Sequence, residues 1–412
     1  MFKEKKKRII VLSAAVLMLI FLLSLWFFNS SFWKKYTMFE AKNIAYSLQN
    51  MTEVIPYHTV KKSEDPYIFE QDIKPLNLWY SFAGEEKLVA NFLKDTRTSG
   101  LLVVKDNKIV YENYFKGNSA DNQHMEFSVT KSVVSALVGI AIDEGYIKDV
   151  NEPITNYLPE LKVSGYNDVP IKDILQMSSG VKFDEDYANP KSDLEQLNWH
   201  AYVYKKPFDD FILNLKSVRT SGEYNNYISI NTQVLGMLVE RTTGEKLADY
   251  LEAKIWQRIG MEDDAYWLTD YHDNVMAFGG LNITLRDLAK FATLYMNKGL
   301  YNGEQIISEN WIEESTKPDA THLLPGLNCN SDYPLGYQYQ WWVPESDAGE
   351  FLAIGIWGQY AYINPQANLV IVKNSSDLNF NNYGSDLETL EVFRSIVAHL
   401  AEDNLQETGS DL

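Results

Sequence analysis

Ser128 and Lys131 have the spacing of a nucleophile and its base. They frame the tetrapeptide 128–131 (SVTK), and a separation of three residues places both side chains on one face of a helix. A serine hydroxyl is a weak nucleophile until a neighbouring base takes its proton, and a lysine can be that base when burial lowers its pKa. The apolar run 133–140 predicts a buried helix around Lys131.

The same tetrapeptide pattern has a second occurrence and a purely structural interpretation. Ser31 and Lys34 show the same spacing, but they directly follow a long apolar run with no pocket-forming segment around them, so we discard them. For Ser128 the alternative is a helix N-cap with Lys131 exposed to solvent. The spacing alone leaves both interpretations open, although an exposed lysine fits poorly in a nearly all-apolar helix.

Tyr227 and Ser229 form a second candidate group. They follow the turn 221–223 (SGE) and precede a helical pattern that starts at Asn231. Two such side chains on an irregular turn can face one cavity, and a phenol near a lysine ammonium can relay a proton to a leaving group. An ordinary buried tyrosine is the structural alternative, and Tyr224 competes for the same role.

Gly358 is the third candidate and lies in the stretch 355–359 (GIWGQ) among strand-like runs. A glycine in a strand lets a substrate or another backbone approach the sheet closely. Backbone N–H groups at such an edge could complete an oxyanion hole with the N–H of Ser128. A β-bulge is the structural alternative for this glycine.

The elements that must position these residues follow from the patterning of the chain. Segment 29–84 contains three prolines and is predicted to be a connector, followed by a globular domain over 85–405 and an acidic tail over 406–412. The domain begins with a helical pattern near residues 85–96, a β-hairpin around residues 105–107 and the apolar helix 128–144. Strand-like runs return from 336 to 373, around a mostly helical middle part, 146–330. Strands at both ends of a helical insert predict an α/β (α+β) sheet domain with an all-helical lobe.

Five ordered segments resemble the serine β-lactamase and penicillin-binding-protein superfamily. Within it, the chain is similar to the class C-like, family VIII-type esterases and to the aminohexanoate-dimer hydrolases. The resemblance implies a β-lactamase-like antiparallel sheet flanked by helices, and it favours Tyr227 over Tyr224. It extends over about residues 85–401 and is carried by the segments 127–132, 139–145, 175–180, 227–236 and 279–288.

This resemblance implies a role for each candidate residue. Ser128 attacks a carbonyl carbon and forms an acyl-enzyme, while Lys131 and Tyr227 share the proton transfers. The N–H groups of Ser128 and Gln359 hold the oxyanion. Ser229 occupies the position of a polar residue that contacts the substrate or joins the proton network.

The predicted substrate-binding residues also include Tyr187, Trp357 and Gly358. In this region the sequence differs from the family at one motif. Tyr187 resembles a substrate-contacting tyrosine of the dimer hydrolases. The third motif of the lactamases and peptidases is Lys-Thr-Gly or His-x-Gly, whereas residues 356–358 read IWG here. A substrate carboxylate buried without a cationic partner is costly. The departure therefore favours neutral esters or amides over a peptidoglycan or β-lactam substrate, and a third alternative is an inactive sensor or binding module.

The N-terminus predicts a membrane anchor. Residues 9–28 form an uncharged apolar run of the length that a helix needs to cross a bilayer. Neither an A-x-A site nor a lipid-accepting cysteine follows it, which favours an uncleaved signal anchor over a cleaved signal peptide. The basic segment 1–8 is more positive than Lys34 and Lys35 beyond the run. The N-terminus is therefore expected in the cytoplasm and the catalytic domain in the periplasm or outside the cell.

Charge and composition exclude other partners and cofactors. The net charge is −19 and segment 1–8 carries +4, so the remaining chain carries −23. A body this acidic repels nucleic acid and anionic lipid headgroups. The six histidines lack metal-binding spacing and no phosphate loop is present, so we expect no metal and no other cofactor. Cys329 is the only cysteine, which excludes an intrachain disulfide, and oligomeric state stays open.

Overall fold

The computed structural model describes residues 2–28, 30–326 and 331–409. Cys329 lies outside these residues. The α-helices in the described part are α1 (Phe2–Phe28), α2 (Ser31–Thr37), α3 (Ile44–Ser47), α4 (Val89–Asp95), α5 (Val129–Asp143), α6 (Ile171–Leu175), α7 (Asp193–Asn198), α8 (Phe208–Ile212), α9 (Ile230–Thr243), α10 (Leu247–Leu251), α11 (Leu285–Met296), α12 (Glu309–Thr316) and α13 (Tyr383–Gly409).

The strands of the described part are mostly short. They are β1 (Tyr57–Val60), β2 (Glu70–Gln71), β3 (Trp79–Phe82), β4 (Glu85–Leu88), β5 (Thr98–Lys105), β6 (Lys108–Tyr114), β7 (His124–Met125), β8 (Ala265–Leu268), β9 (Leu281–Ile283), β10 (Leu300–Tyr301), β11 (Glu304–Gln305), β12 (Gly336–Gln338), β13 (Trp341–Val343), β14 (Phe351–Gly355), β15 (Gln359–Asn364) and β16 (Leu369–Ser375).

An eight-stranded sheet forms the centre of the domain. Its order is β12-β13-β14-β15-β16-β5-β6-β2, and its pairs are antiparallel except for the parallel pair of β2 and β6. The predicted hairpin joins β5 to β6, and Asp106 and Asn107 at its turn have φ values of 49° and 61°. Positive φ at both central residues is the geometry of a tight hairpin turn, which Asp and Asn tolerate well.

Both faces of this sheet are covered, which explains why its central strands are apolar throughout. Side chains alternate along β5, so that Leu102 and Val104 belong to one core and Leu101 and Val103 to the other. The first core contains α5, α9 and α11, and the second lies under α4 and α13. The predicted antiparallel sheet flanked by helices is confirmed.

The middle part of the chain is helical with short strands inserted. Helices α6 to α11 all lie within residues 146–330, but so do β8 and β9. These two strands form a second, four-stranded sheet with β1 and β7, in the order β1-β8-β9-β7. The lobe is therefore helical except for the β10–β11 hairpin and this small sheet, which joins the lobe to the N-terminal connector.

The connector is an integral part of the domain. Its side chains Ile44, Leu48, Met51 and Ile55 are buried in the main core. Strand β1 pairs with β8 along its whole length. Segment 29–84, predicted to be a connector, therefore packs extensively on the domain.

The two ends of the chain are helical. Helix α1 is long and apolar enough to cross a bilayer, and none of its residues is buried against the domain. A signal sequence would have the same properties. At the other end, α13 extends to Gly409, so the tail predicted over 406–412 begins as helix, and residues 410–412 lie outside the described residues.

Candidate active site

A strained turn delivers Ser128 to the start of α5. Phe127 has a φ of 46°, a conformation that bulky side chains rarely adopt. The turn directs the chain from β7 into α5, where the side chains from Val129 to Ala141 are buried. Ser128 is left half-buried at the N-terminal end of the helix. Strain of this kind is typical of functional sites, where the surrounding structure holds it in place.

Lys131 lies under Ser128 and contacts its hydroxyl. Its Nζ is 2.7 Å from Ser128 Oγ and 2.7 Å from the carbonyl oxygen of Phe278. The lysine is only 1% exposed, and burial lowers its pKa to about 7, against an opposing effect of Glu185. Ser128 makes no capping bond, so the interpretation as an N-cap with an exposed lysine is wrong. A lysine poised near neutrality can take the serine proton.

Tyr227 is the tyrosine that reaches this pair. The Lys131 Nζ lies 5.1 Å from the centre of its ring, and the ring stacks on Trp342 at 5.3 Å. Burial raises the pKa of the Tyr227 phenol, while a hydrogen bond with Ser128 opposes that rise. Tyr224 instead donates to Asp332 at 2.6 Å near the surface. Tyr227 can therefore hold a proton close to both Ser128 and Lys131.

Glu185 completes the polar network and was missed in the sequence. One of its carboxylate oxygens accepts the Ser229 N–H at 2.8 Å, and the other accepts the hydroxyls of Ser229 and Tyr187. Burial raises the pKa of Glu185, and the nearby Lys131 ammonium lowers it. Ser229 thus binds a carboxylate of the network, and the carboxylate in turn favours the charged form of Lys131.

The turn between β14 and β15 approaches Ser128 from the sheet. A Cβ on Gly355 would lie 2.4 Å from the carbonyl oxygen of Glu126, so only glycine allows this contact. The side-chain amide of Gln359 donates to the carbonyl oxygens of Ile356, at 3.2 Å, and of Ser375, at 2.9 Å. These two hydrogen bonds fix the turn. No described residue accepts a hydrogen bond from the N–H of Ser128 or of Ile356. Ile356 therefore joins Gln359 as a candidate for the second oxyanion donor.

Comparison with known proteins places this geometry in a family. The sequence profile described as Beta-lactamase matches residues 86–392. The chain belongs to the Beta-lactamase family. It is 32% identical over 291 residues to the 6-aminohexanoate-dimer hydrolase of Paenarthrobacter ureafaciens, which covers 69% of this chain and 74% of the relative.

Solved structures of the Beta-lactamase family have the same fold. A Bacillus anthracis protein with the provisional name 6-aminohexanoate-dimer hydrolase superposes with a TM-score of 0.81 at 26% identity, over 89% of this chain and 96% of its own. A family VIII carboxylesterase superposes with a TM-score of 0.55 at 18% identity, over 71% of this chain and 90% of its own. The protein is therefore a hydrolase with the β-lactamase fold.

The third motif of the Beta-lactamase family has no exposed cation here. Lys373 comes nearest, because its Nζ would lie 3.4 Å from a Cβ on Gly358. Its ammonium donates to Ser375 at 2.7 Å and lies over the rings of Phe92 and Tyr360. Lys373 is 1% exposed, and it therefore points into the core behind the turn rather than into the cleft.

Trp357 and Tyr187, both predicted to bind substrate, lie on the two sides of one aromatic side chain. The ring of Phe380 is 4.2 Å from Trp357 and 6.0 Å from Tyr187, between centroids. Trp357 has a φ of 65° and Gly358 a φ of 85°, and this geometry turns the indole out of the sheet. The predicted residues Ser128, Lys131, Tyr227, Ser229, Tyr187, Trp357, Gly358 and Gln359 all belong to this one region.

Other features of the described residues do not compete with this site. A cavity of about 900 Å³ opens at the opposite end of β14, near Phe351 and Tyr301, and contains none of the predicted site residues. Among the described residues, no group of three or more His, Cys, Asp or Glu side chains could hold a metal ion.

Proposed function

We propose that this protein is an esterase or amidase that works through an acyl-enzyme on Ser128. The observation that supports the proposal is the 2.7 Å contact between Ser128 Oγ and the Nζ of the buried Lys131. A lysine in a desolvated site is a usable base, because water no longer stabilises its charged form.

The mechanism has two halves, and the base accepts one proton in each of them. Lys131 takes the proton as Ser128 Oγ bonds to the carbonyl carbon, and the oxyanion accepts the N–H of Ser128 and one N–H of turn 356–359. Tyr227 passes this proton from Lys131 to the leaving oxygen or nitrogen, whose bond to carbon breaks, and Lys131 is neutral again. Water then attacks the acyl-enzyme, its proton goes to the base, and Ser128 regains its own.

We infer that the substrates carry no charge on the group that faces the third motif, where the lactamases and peptidases bind a carboxylate. Lys373 is withdrawn behind Gly358, so a substrate carboxylate there would be left without a cation. Relatives with the names 6-aminohexanoate-dimer hydrolase and carboxylesterase support amides and esters as the substrate class.

We further propose that α1 is an uncleaved signal anchor and that the catalytic domain lies outside the cytoplasm. The length and apolarity of α1 and the basic segment before it support this proposal. Detection of the N-terminal residues in the membrane fraction of intact cells would test it, because a cleaved signal peptide would leave a mature chain without them.

A fluorophosphonate probe tests the nucleophile. We expect covalent labelling of the intact protein, loss of the label in Ser128→Ala, and full labelling in Ser31→Ala, which removes the other serine of the same pattern. Labelling that persists in Ser128→Ala would contradict the proposal, and absence of any labelling would favour an inactive sensor or binding module.

A substrate panel tests the reaction class. We expect turnover of p-nitrophenyl esters or short anilides that depends on Ser128, and little turnover of a chromogenic cephalosporin. Faster turnover of the cephalosporin than of any ester or amide would instead favour the lactamase or peptidase alternative.

A further inference from the structure

We propose that the active site takes amphiphilic acyl esters or amides whose hydrocarbon chain resides in the lipid bilayer. The inference rests on the proposed function, since it needs both the hydrolase and the anchor. It specifies where the substrate comes from and what its acyl chain contacts.

Five aromatic side chains form a continuous series of ring contacts that begins beside Ser128, and we call them the aromatic collar: Phe39, Phe127, Tyr187, Trp357 and Phe380. Phe39 stacks on Trp357 with ring centroids 6.3 Å apart and planes within 7°, and it lies 6.3 Å from Phe127, the neighbour of Ser128. On its other side Trp357 contacts Phe380, and Phe380 in turn contacts Tyr187. Aromatic surface of this extent favours an apolar substrate group.

Phe39 belongs to the segment that leaves the membrane helix. It follows the last residue of α1, Phe28, by 11 positions, and α2 occupies seven of them. With about 1.5 Å per helical residue and at most about 3.5 Å per extended one, Phe39 lies within roughly 25 Å of the end of α1. The collar is therefore close to the point where the proposed anchor leaves the bilayer.

Contacts brace this short connection at both ends. Trp33 of α2 packs edge-on against Phe28 of α1 at 4.9 Å. Lys34 of α2 forms an ion pair of 2.7 Å with Glu53 of the domain. Because α2 is held by α1 on one side and by the domain on the other, the collar stays near the membrane surface.

A patch rich in aromatic and lysine side chains surrounds the connection. Lys35 donates to the Tyr271 hydroxyl at 2.7 Å, and Lys205 lies 4.8 Å from the centre of the Tyr271 ring. We call this surface the interfacial patch, and its members are Lys35, Tyr36, Trp199, Val203, Tyr204, Lys205, Lys206 and Tyr271.

The composition of the interfacial patch suits lipid headgroups. Trp199 is 52% exposed and Tyr204 is 65% exposed, and aromatic side chains with a polar tip prefer the headgroup region of a bilayer. The lysines of the patch stand out in a chain that carries −23 beyond its first eight residues. The lysines of the patch therefore oppose, at this surface, the repulsion expected between the acidic body and lipid.

The interfacial patch is connected to the catalytic lysine by direct packing. Tyr202, inside the patch loop, contacts Phe208 at 5.8 Å, and Phe208 contacts Phe278 at 5.8 Å. The carbonyl oxygen of Phe278 accepts the hydrogen bond of Lys131. Two ring contacts and one hydrogen bond thus connect the patch loop to Lys131.

The reaction on such a substrate needs no further reactant than water. Ser128 Oγ bonds to the acyl carbon, the bond from that carbon to the alcohol or amine breaks, and the proton of Ser128 reaches the leaving group. Water then releases the fatty acid and restores Ser128. During both steps the collar holds the hydrocarbon chain at the bilayer surface.

The full-length protein in phosphatidylcholine vesicles tests the proposal. The measured quantity is the ratio of kcat/KM for p-nitrophenyl palmitate to kcat/KM for p-nitrophenyl acetate. We expect Phe39→Ala to lower this ratio about tenfold, the effect of removing one large apolar contact. Tyr146→Ala is the matched control, because Tyr146 is an aromatic side chain of 43% exposure outside both the collar and the patch.

A second variant tests the position of the collar. Insertion of about twenty Gly and Ser residues after residue 29 keeps the anchor but frees the domain from the surface, and we expect it to lower the same ratio. Equal ratios for the parent, Phe39→Ala and the inserted variant would overturn the inference, while Ser128-dependent acetate turnover would still uphold the proposed function. Absence of acetate turnover in the parent would overturn both.

Discussion

At the scale of single residues, the proposed role of Lys131 as the base predicts the pH dependence of the reaction. Burial lowers its pKa to about 7, and only the neutral amine can take the proton of Ser128. We expect kcat/KM to be low in acid and to rise as the pH passes through about 7. A pH–rate profile with a soluble ester measures this, and a flat profile between pH 5 and pH 9 would contradict it.

Glu185 tunes that profile through its charge. The carboxylate raises the pKa of Lys131, so Glu185→Gln removes an opposing charge and lets burial lower the pKa further. We expect the midpoint of the profile to shift towards acid by about one pH unit. Glu195→Gln on α7 is the control and leaves the midpoint in place. A shift of the midpoint towards alkaline pH would contradict the prediction that the Glu185 charge raises the pKa of Lys131.

Glu126 makes stability depend on pH. It is 1% exposed, one of its oxygens has no hydrogen-bond partner in the described part of the chain, and burial raises its pKa to about 8. A carboxyl group with a raised folded pKa stabilises the fold at low pH and loses that contribution as the pH rises through the folded pKa. We expect Glu126→Gln, which can still accept from Asn374, to remove this loss.

Thermal melting across pH measures the effect of Glu126. The parent protein should lose stability between about pH 5 and pH 9, and Glu126→Gln should lose less of it. Glu64→Gln, at an exposed position, should follow the parent. Parallel curves for Glu126→Gln and the parent would rule out this role.

The catalytic residues differ in how far the sequence could predict them. Ser128 and Lys131 lie within one helical turn, so their spacing alone suggests the pair. Glu185 lies 44 positions before Ser229, the residue whose N–H it accepts, and no local pattern reveals such a contact. Its position in the acidic stretch 183–187, beside the predicted Tyr187, was the one available signal.

At the scale of elements, α5 is fixed by a close contact with α12. A Cβ on Gly139 would lie 2.4 Å from the ring of Trp311, so Gly139→Ala forces the two helices apart. We expect a loss of about 1–3 kcal/mol in the free energy of unfolding, as for other overpacked cores. Urea denaturation measures it.

Ser135 on the same helix provides the comparison for Gly139. Its buried hydroxyl has no hydrogen-bond partner among the described residues, so Ser135→Ala removes a polar group that the fold does not use. We expect its free energy of unfolding to equal or exceed that of the parent. If Gly139→Ala were as stable as Ser135→Ala, α5 and α12 would be less tightly packed than the structure indicates.

Periodicity predicted the long elements and missed the short ones. Apolar spacing predicts α5 and α9, and the Asp106-Asn107 turn predicts the β5–β6 hairpin. Strands β7 and β9 have only two and three residues, too few to show an alternating pattern, and they form because distant segments pair. The helix predicted from residue 85 begins instead at Val89, since residues 85–88 pair with β3.

At the scale of the whole molecule, the N-terminal connector is needed for folding. Ile44, Leu48, Met51 and Ile55 fill the main core, and each buried side chain of this size contributes roughly 1.5–3 kcal/mol. We expect a fragment that begins at Ser30 to unfold cooperatively in urea and a fragment that begins at Glu85 to show no such transition. Equal midpoints for the two fragments would mean that the connector only lies on the surface.

The ends of the eight-stranded sheet have a consequence for crowded membranes. The edge strands β2 and β12 have two and three residues, so each of them offers few backbone groups to a further strand. A chain held in a bilayer diffuses in two dimensions, where neighbours meet far more often than in solution. Long, open edges would invite strand pairing and aggregation between neighbours. With edge strands this short, copies of the protein that are anchored through α1, as proposed, would remain separate folded units at high density.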